Sequence, residues 1–172
     1  NPDSILGIFK IPKALNDIEI DKFSLALDSV SDPGNLGTII RLSDWFGIKN
    51  IYCSLNTVDC YNPKVVQSSM GSIARVNCQY LDLATFLSKY NSTVYGANLD
   101  GLSHYDCSYD QKGILVLGNE SHGISSHVND EIDQFITIMS KADESSAESL
   151  NVASACAIML GEIFRPQSLF KS

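Results

Sequence analysis

"ILVLGNESHGIS", residues 114–125, decides how this chain reads. Ile114, Leu115, Val116 and Leu117 are apolar without alternation, the pattern of a strand buried on both faces at the centre of a parallel sheet. Gly118-Asn119-Glu120 ends that strand and Gly123 follows, a Gly-rich turn of the kind at which phosphate-bearing or nucleotide-like ligands dock. Two common ligand motifs are excluded. Gly118 and Gly123 have the spacing of a phosphate-binding loop, but Ile124-Ser125 stands where that loop needs Lys followed by Ser or Thr. The G-x-G-x-x-G spacing of a dinucleotide fingerprint is also missing. Pattern alone leaves a plainer alternative: glycines chosen for their backbone angles, and Glu120 favouring the positive end of the next helix.

Outward from this stretch, short β-rich runs alternate with helical patterns, as in a mostly parallel sheet flanked by helices. Strands are expected at 23–28, 50–53, 75–78, 93–97, 114–117 and 134–139, and helices at 35–46, 63–69, 83–90, 126–132 and 147–165. The last helix has two apolar stripes, Leu150, Ala153, Ala157, Leu160 and Phe164 beside Val152, Cys156, Met159 and Ile163. Such a helix is buried between layers or used at a subunit interface, and its small residues let another backbone approach. The segment "SKADESSAES", 140–149, reads as a polar, acidic loop. Residues 1–20 are weakly patterned and read as a linker or the remnant of a truncated N-terminal substrate-binding domain, with the main domain at 21–172.

With 172 residues, 44% hydrophobic and 19% charged, the chain suits one domain with a full core rather than a disordered segment. No apolar run approaches the length of a membrane span. Five cysteines, odd in number and without a CxxC pair, argue against a disulfide framework or zinc knuckle; a reducing cytoplasm and no metal are expected. The net charge of −8 is unusual for a nucleic-acid binder, which draws affinity from basic surface. Local patches matter more than the total, so an RNA partner is not excluded.

Two further motifs carry polar groups to the ends of apolar elements. In "DSVSDPGNLGTIIRLSDWFG", 28–47, a strand ends at Asp28 and either Asp32 or Asn35 can cap the following helix. Arg41 stands six residues beyond Asn35, about 9 Å along a helix, as a snorkelling surface residue or a phosphate clamp. In "ESLNVASA", 148–155, Ser145 with Glu148, or Ser149 itself, can cap the long helix, and Ser149-Leu150-Asn151 can equally aim polar groups into a pocket.

In this order, "NLGTIIR", "LVLGNESHGIS" and "ITIMS…SLNVASACAIMLGEIFR" resemble the motifs of the SpoU-type ribose 2′-O-methyltransferases of the SPOUT superfamily, over residues 22–166. The resemblance implies an α/β fold with a deep C-terminal trefoil knot, a homodimer, and transfer of a methyl group from S-adenosylmethionine to a ribose 2′-hydroxyl of tRNA or rRNA. It implies cofactor contacts at Gly118, Ile138 and Leu150, with Asn119 and Gly123 in the same loop. Arg41 matches the family's main catalytic residue. Because a guanidinium stays protonated in proteins, the role expected for it is phosphate anchoring and stabilisation of a developing alkoxide rather than proton removal. Asn35 is expected to orient the nucleotide or Arg41, Glu120 to hold Arg41 or Asn35, and Ser149 and Asn151 to complete the polar wall; His122 is a bystander.

The chain departs from the family in its long acidic loop before Ser149, in Met139 directly after Ile138 and in Trp45-Phe46. A non-catalytic RNA-binding or ribosome-assembly paralogue and a small-molecule methyltransferase are the competing expectations.

Overall fold

The computed structural model describes Ile8, Lys10, residues 22–140 and residues 149–165; the expectations for residues 1–20 and for most of the acidic loop fall outside these. Six strands, β1 (Ser24–Leu27), β2 (Asn50–Ser54), β3 (Asn77–Leu81), β4 (Val94–Ser103), β5 (Ile114–Leu117) and β6 (Gln134–Thr137), form one sheet. Their order is β3-β2-β1-β5-β4-β6, and every pairing is parallel. β1 and β5 are the two central strands, and every residue of both is buried, as the unalternating "ILVL" requires.

Strand alternation divides the core between the two faces of the sheet. Leu25, Leu27, Ile51, Cys53, Leu115 and Leu117 pack with the buried side chains of α1 (Pro33–Trp45), α2 (Pro63–Ser68) and α5 (Val152–Ile163). Ala26, Tyr52, Val94, Ile114 and Val116 pack with those of α3 (Leu83–Leu87) and α4 (Ser126–Asn129). Each large aliphatic side chain so enclosed contributes about 1.5–3 kcal/mol over leaving it in water.

Several boundaries differ from the sequence expectation, each for a local reason. α1 begins at Pro33, because Asp32 is its cap: the carboxylate accepts from the Asn35 backbone N–H at 2.8 Å, leaving the Asn35 amide free for other work. β3 starts at Asn77 rather than 75, because Ser72–Ala74 first make a 3-10 turn. β4 runs on to Ser103, with its register with β6 shifting between Ala97 and Leu102. Gly101 permits this irregularity, since a Cβ there would lie 2.7 Å from the Phe135 backbone. α4 is a single turn, not seven residues, because Asp133 locks onto β4: its N–H donates to Val94 O and its carboxylate accepts from the Val94 N–H. α5 begins at Val152, capped by Asn151 rather than by Ser149; Ser145, Ala147 and Glu148 lie outside the described residues.

The helix that carries the first motif is pinned at two points. At Gly37 it crosses α2 so closely that a Cβ would lie 2.8 Å from the Val65 carbonyl oxygen. At its C-terminal end, the Arg75 guanidinium donates to both Asp44 oxygens and Ser72 Oγ donates to one of them. Gly37→Ala is expected to cost about 1–3 kcal/mol through overpacking, read as a lowered urea midpoint with an unchanged m-value. Arg75 holds the Asp44 carboxyl below its ordinary range, so its stabilising contribution is present above the usual carboxylate pKa and lost as pH falls through the lowered value. Asp44→Asn is therefore expected to flatten the acid limb of the stability–pH profile below about pH 4 and to leave the pH dependence near neutrality unchanged.

Candidate active site

The carboxyl ends of β4, β5 and β6 open into a cleft of about 910 Å³, walled by residues 118–124, Ala97–Leu99, Ile138–Ser140 and Ser149-Leu150. The sheet dictates this position. β5, β4 and β6 lie side by side and parallel in one half of the strand order, so the segments that leave them meet at one end of the sheet.

The loop that follows β5 is closed by its own backbone. Asn119 and Gly123 exchange two N–H to O bonds of 2.9 Å, and Gly123 holds a φ of +69°, natural only for glycine. Gly118 is required for a different reason: a Cβ there would sit 2.2 Å from the Gly123 carbonyl carbon. The backbone angle and the close approach thus belong to different glycines. The Asn119 carboxamide fills the turn, its oxygen accepting from the Ser121 and His122 N–H groups and its nitrogen donating to Ser29 O at 2.7 Å. At the far end of the loop, the Ser125 N–H donates to Asp28 Oδ2 at 2.7 Å. The two anchors, Asp28 and Ser29, directly follow β1, and Ser29 has a φ of +60°, a conformation that costs a serine roughly 1–2 kcal/mol.

Beside the cleft, three side chains form a directed relay. Asn151 Oδ1 accepts from the Ala153 and Ser154 N–H groups at the start of α5, so its amide nitrogen must face away, and it donates to Asn35 Oδ1 at 2.9 Å. Asn35 therefore presents its nitrogen to Glu120, donating to Oε1 at 2.8 Å. Glu120 Oε2 receives the Ser31 hydroxyl at 3.5 Å, a marginal contact that leaves acceptor capacity on that oxygen. The α5 cap thereby fixes the orientation of two amides and, through them, of the carboxylate.

Gly118, Asn119, Gly123, Ile138, Leu150, Ser149 and Glu120 all line the cleft, while Asn35 and Asn151 join it through Glu120. Arg41 does not join them. It is exposed, and no hydrogen bond or ion pair among the described residues links it to Asn35 or Glu120. Six helical residues carry it about 120° around the axis from Asn35, as well as along it. Within one chain Glu120 thus holds Asn35 and not Arg41. Sequence reasoning missed Asp28, Ser29 and Ser31; a carboxylate ending the wholly buried run Leu25-Ala26-Leu27 was the available signal for the first. His122, set aside as a bystander, lines the cleft with its Nδ1 3.2 Å from Asn119 Oδ1. Among the described residues no group of three His, Cys, Asp or Glu side chains is placed to hold a metal ion.

Comparison with known proteins gives this arrangement its family. The sequence model of the SpoU rRNA methylase family matches residues 22–161. The 23S rRNA (guanosine(2553)-2′-O)-methyltransferase RlmP of Bacillus subtilis is 31% identical over 140 residues, 79% of this chain and 55% of that protein. A Porphyromonas gingivalis structure assigned to the TrmH family of RNA methyltransferases superposes with a TM-score of 0.77 at 42% identity, covering 88% of this chain and 61% of that one. The AdoMet-bound rRNA methyltransferase of Sinorhizobium meliloti superposes with a TM-score of 0.76 at 31% identity, covering 83% and 55%. The chain thus spans little more than half the length of these relatives. It belongs to the SpoU rRNA methylase family.

Proposed function

We propose that this chain is the catalytic part of an S-adenosylmethionine-dependent methyltransferase acting on a ribose 2′-hydroxyl of tRNA or rRNA. The observation that carries the reading is that the second and third motifs line one cleft and the Asn151–Asn35–Glu120 relay ties the first motif to its wall. A relative that methylates a ribose of 23S rRNA and a solved relative with bound AdoMet support it. The intact relay weighs against a decayed, non-catalytic paralogue, in which such a set would be free to drift.

The residues present fit the cofactor. A Cβ at Gly118 would collide with the backbone of its own loop, so the polypeptide there is bare main chain beside the cleft. Gly118, Asn119 and Gly123 would hold the cofactor through that loop, and Ile138 and Leu150 would flank it. When bound, the cofactor supplies an electrophilic methyl group on a sulfonium. The chain's part is to hold the ribose in line with that methyl and to ease the loss of the hydroxyl proton. Asn35, with its oxygen committed to Asn151 and one N–H to Glu120, orients the nucleotide without turning over. Arg41 anchors a phosphate and stabilises the forming alkoxide, the proton passing to phosphate or water. Ser149, exposed at the cleft, adds a hydroxyl to its wall.

The reading includes a homodimer. Thr38, Arg41 and Trp45 form one exposed stripe of α1, with Trp45 85% exposed, and Ser154, Ile158 and Gly161 form one on α5, which packs against α1. A large bare indole beside a small-residue helix face supports a second copy packing there. That packing would let Arg41 serve its partner's Glu120, whose second oxygen has room for it. The reading also carries the family's knotted C-terminal path, supported by the meeting of residues 138–140 and Ser149-Leu150 with the 118–124 loop around one cleft. Five free cysteines suit a reducing cytoplasm, and no helix among the described residues is long and apolar enough to cross a membrane.

Methyl transfer from labelled S-adenosylmethionine to cellular RNA by the full-length protein tests the reading. Arg41→Ala is expected to lower the rate by about 100-fold or more, while S-adenosylhomocysteine affinity stays within about twofold. Transfer that is indifferent to Arg41, or product in a free metabolite with no ribose mark gained, contradicts it. Gly118→Ala is expected to do the reverse at the binding step, weakening S-adenosylhomocysteine by about tenfold or more in calorimetry.

A further inference from the structure

We propose that Asp28, with the left-handed turn at Ser29, is a positioning residue that sets the 118–125 loop to receive the methyl donor; this rests on the donor reading above. Asp28 is 3% exposed and is not among the residues that line the cleft. Its backbone N–H donates to Leu117 O, continuing the β1–β5 ladder up to the residue where the donor loop begins. Its carboxylate then reaches the Ser125 N–H, 97 residues away in sequence, and its other oxygen accepts from Ser29 Oγ at 3.2 Å.

The left-handed residue completes the grip. In an extended strand the N–H and C=O of one residue face the same neighbour. At Ser29 they serve opposite neighbours: the N–H donates to Ser54 Oγ at the end of β2, while the C=O accepts from Asn119 in the loop after β5. With β1 between β2 and β5, only a reversal of the peptide direction reaches both. Ser54 is itself held, since its hydroxyl lies 3.2 Å from Thr57 Oγ1, which donates to Leu27 O. The short path 28–35 thus holds three residues of the loop, Ser125 through Asp28, Asn119 through Ser29 and Glu120 through Asn35. The first two grips fix the backbone that would face the donor, and the third fixes the carboxylate on the nucleotide side. Loss of Asp28 releases the loop at Ser125 and leaves the Asn119–Gly123 and Asn35–Glu120 bonds in place.

The test uses the full-length protein, with S-adenosylhomocysteine affinity measured by calorimetry and KM for the donor separated from kcat. Asp28→Ala is expected to weaken that affinity, and to raise the donor KM, by about tenfold or more, with kcat at saturating donor within about threefold of wild type. Asp28→Asn keeps an oxygen able to accept from Ser125 and is expected to recover most of the affinity. Ser125→Pro removes the N–H at a φ of −65°, which proline adopts, and the hydroxyl lost with it makes no capping bond. It is expected to reproduce the weakening, and adding Asp28→Ala to it to cost little more. Donor affinity within about twofold of wild type in Asp28→Ala, with only the unfolding temperature lowered, overturns the proposal, as do fully additive effects of the two changes. Should Asp28→Ala not fold, Ser125→Pro set against Asp28→Asn decides the same question. Wild-type protein with no affinity for S-adenosylhomocysteine would overturn the donor reading itself, whereas wild-type binding that Asp28 does not affect overturns this inference alone.

Discussion

The side-chain amide of Asn35 answers to two partners from the far half of the chain, and the rest of the site depends on how it does so. Its oxygen is claimed by Asn151, whose own oxygen is claimed by two N–H groups at the start of α5. Only its nitrogen remains for Glu120. An amide is symmetric enough in shape to be turned over at little steric cost, so fixing it takes a chain of obligatory donors and acceptors that begins at something unable to turn. Here that origin is the backbone of a helix terminus, where unpaired N–H groups are unavoidable. A helix cap is thus also the reference point for a carboxylate beside the cleft.

The sheet makes this economy possible. Placing β1 beside β5 brings the exits of two strands with very different sequence positions side by side, and what leaves them is the path into α1 in one case and the Gly-rich loop in the other. Wholly buried central strands are stiff, so groups hung on their last residues are held to close tolerance. The loop after β5 supplies bare main chain because Gly118 and Gly123 approach too closely for any side chain at residue 118. On the proposed reading, donor and acceptor sides of a methyl transfer are aligned by the register of two adjacent strands, with the guanidinium brought by a second copy.

Much of this was legible in advance, for local reasons. The unalternating "ILVL" announced a central strand, and glycines without a following lysine ruled out the common phosphate cradles. What was not legible depends on partners distant in sequence. Pattern could not choose between Asp32 and Asn35 as the cap of α1; the choice follows from Asn35 being needed by Glu120 and Asn151. The same tertiary demand makes Asn151, not Ser149, the cap of α5. The grip of Asp28 on Ser125 has no local signature at all, since its two ends are brought together only by the pairing of β1 with β5. The resemblance likewise implied that Asn35 could orient Arg41, although helical geometry sets them on different faces of α1.

The central claim is that the cleft at the ends of β4, β5 and β6 receives the methyl donor and that a second copy completes it. A crystal structure of the protein with S-adenosylhomocysteine tests this most directly. The account predicts the ligand against Gly118, Ile138 and Leu150, with the Asn151–Asn35–Glu120 bonds kept and Arg41 of another copy within hydrogen-bonding reach of Glu120 or the nucleotide side. A ligand bound elsewhere, or a monomer whose own Arg41 swings onto its Glu120, would contradict it.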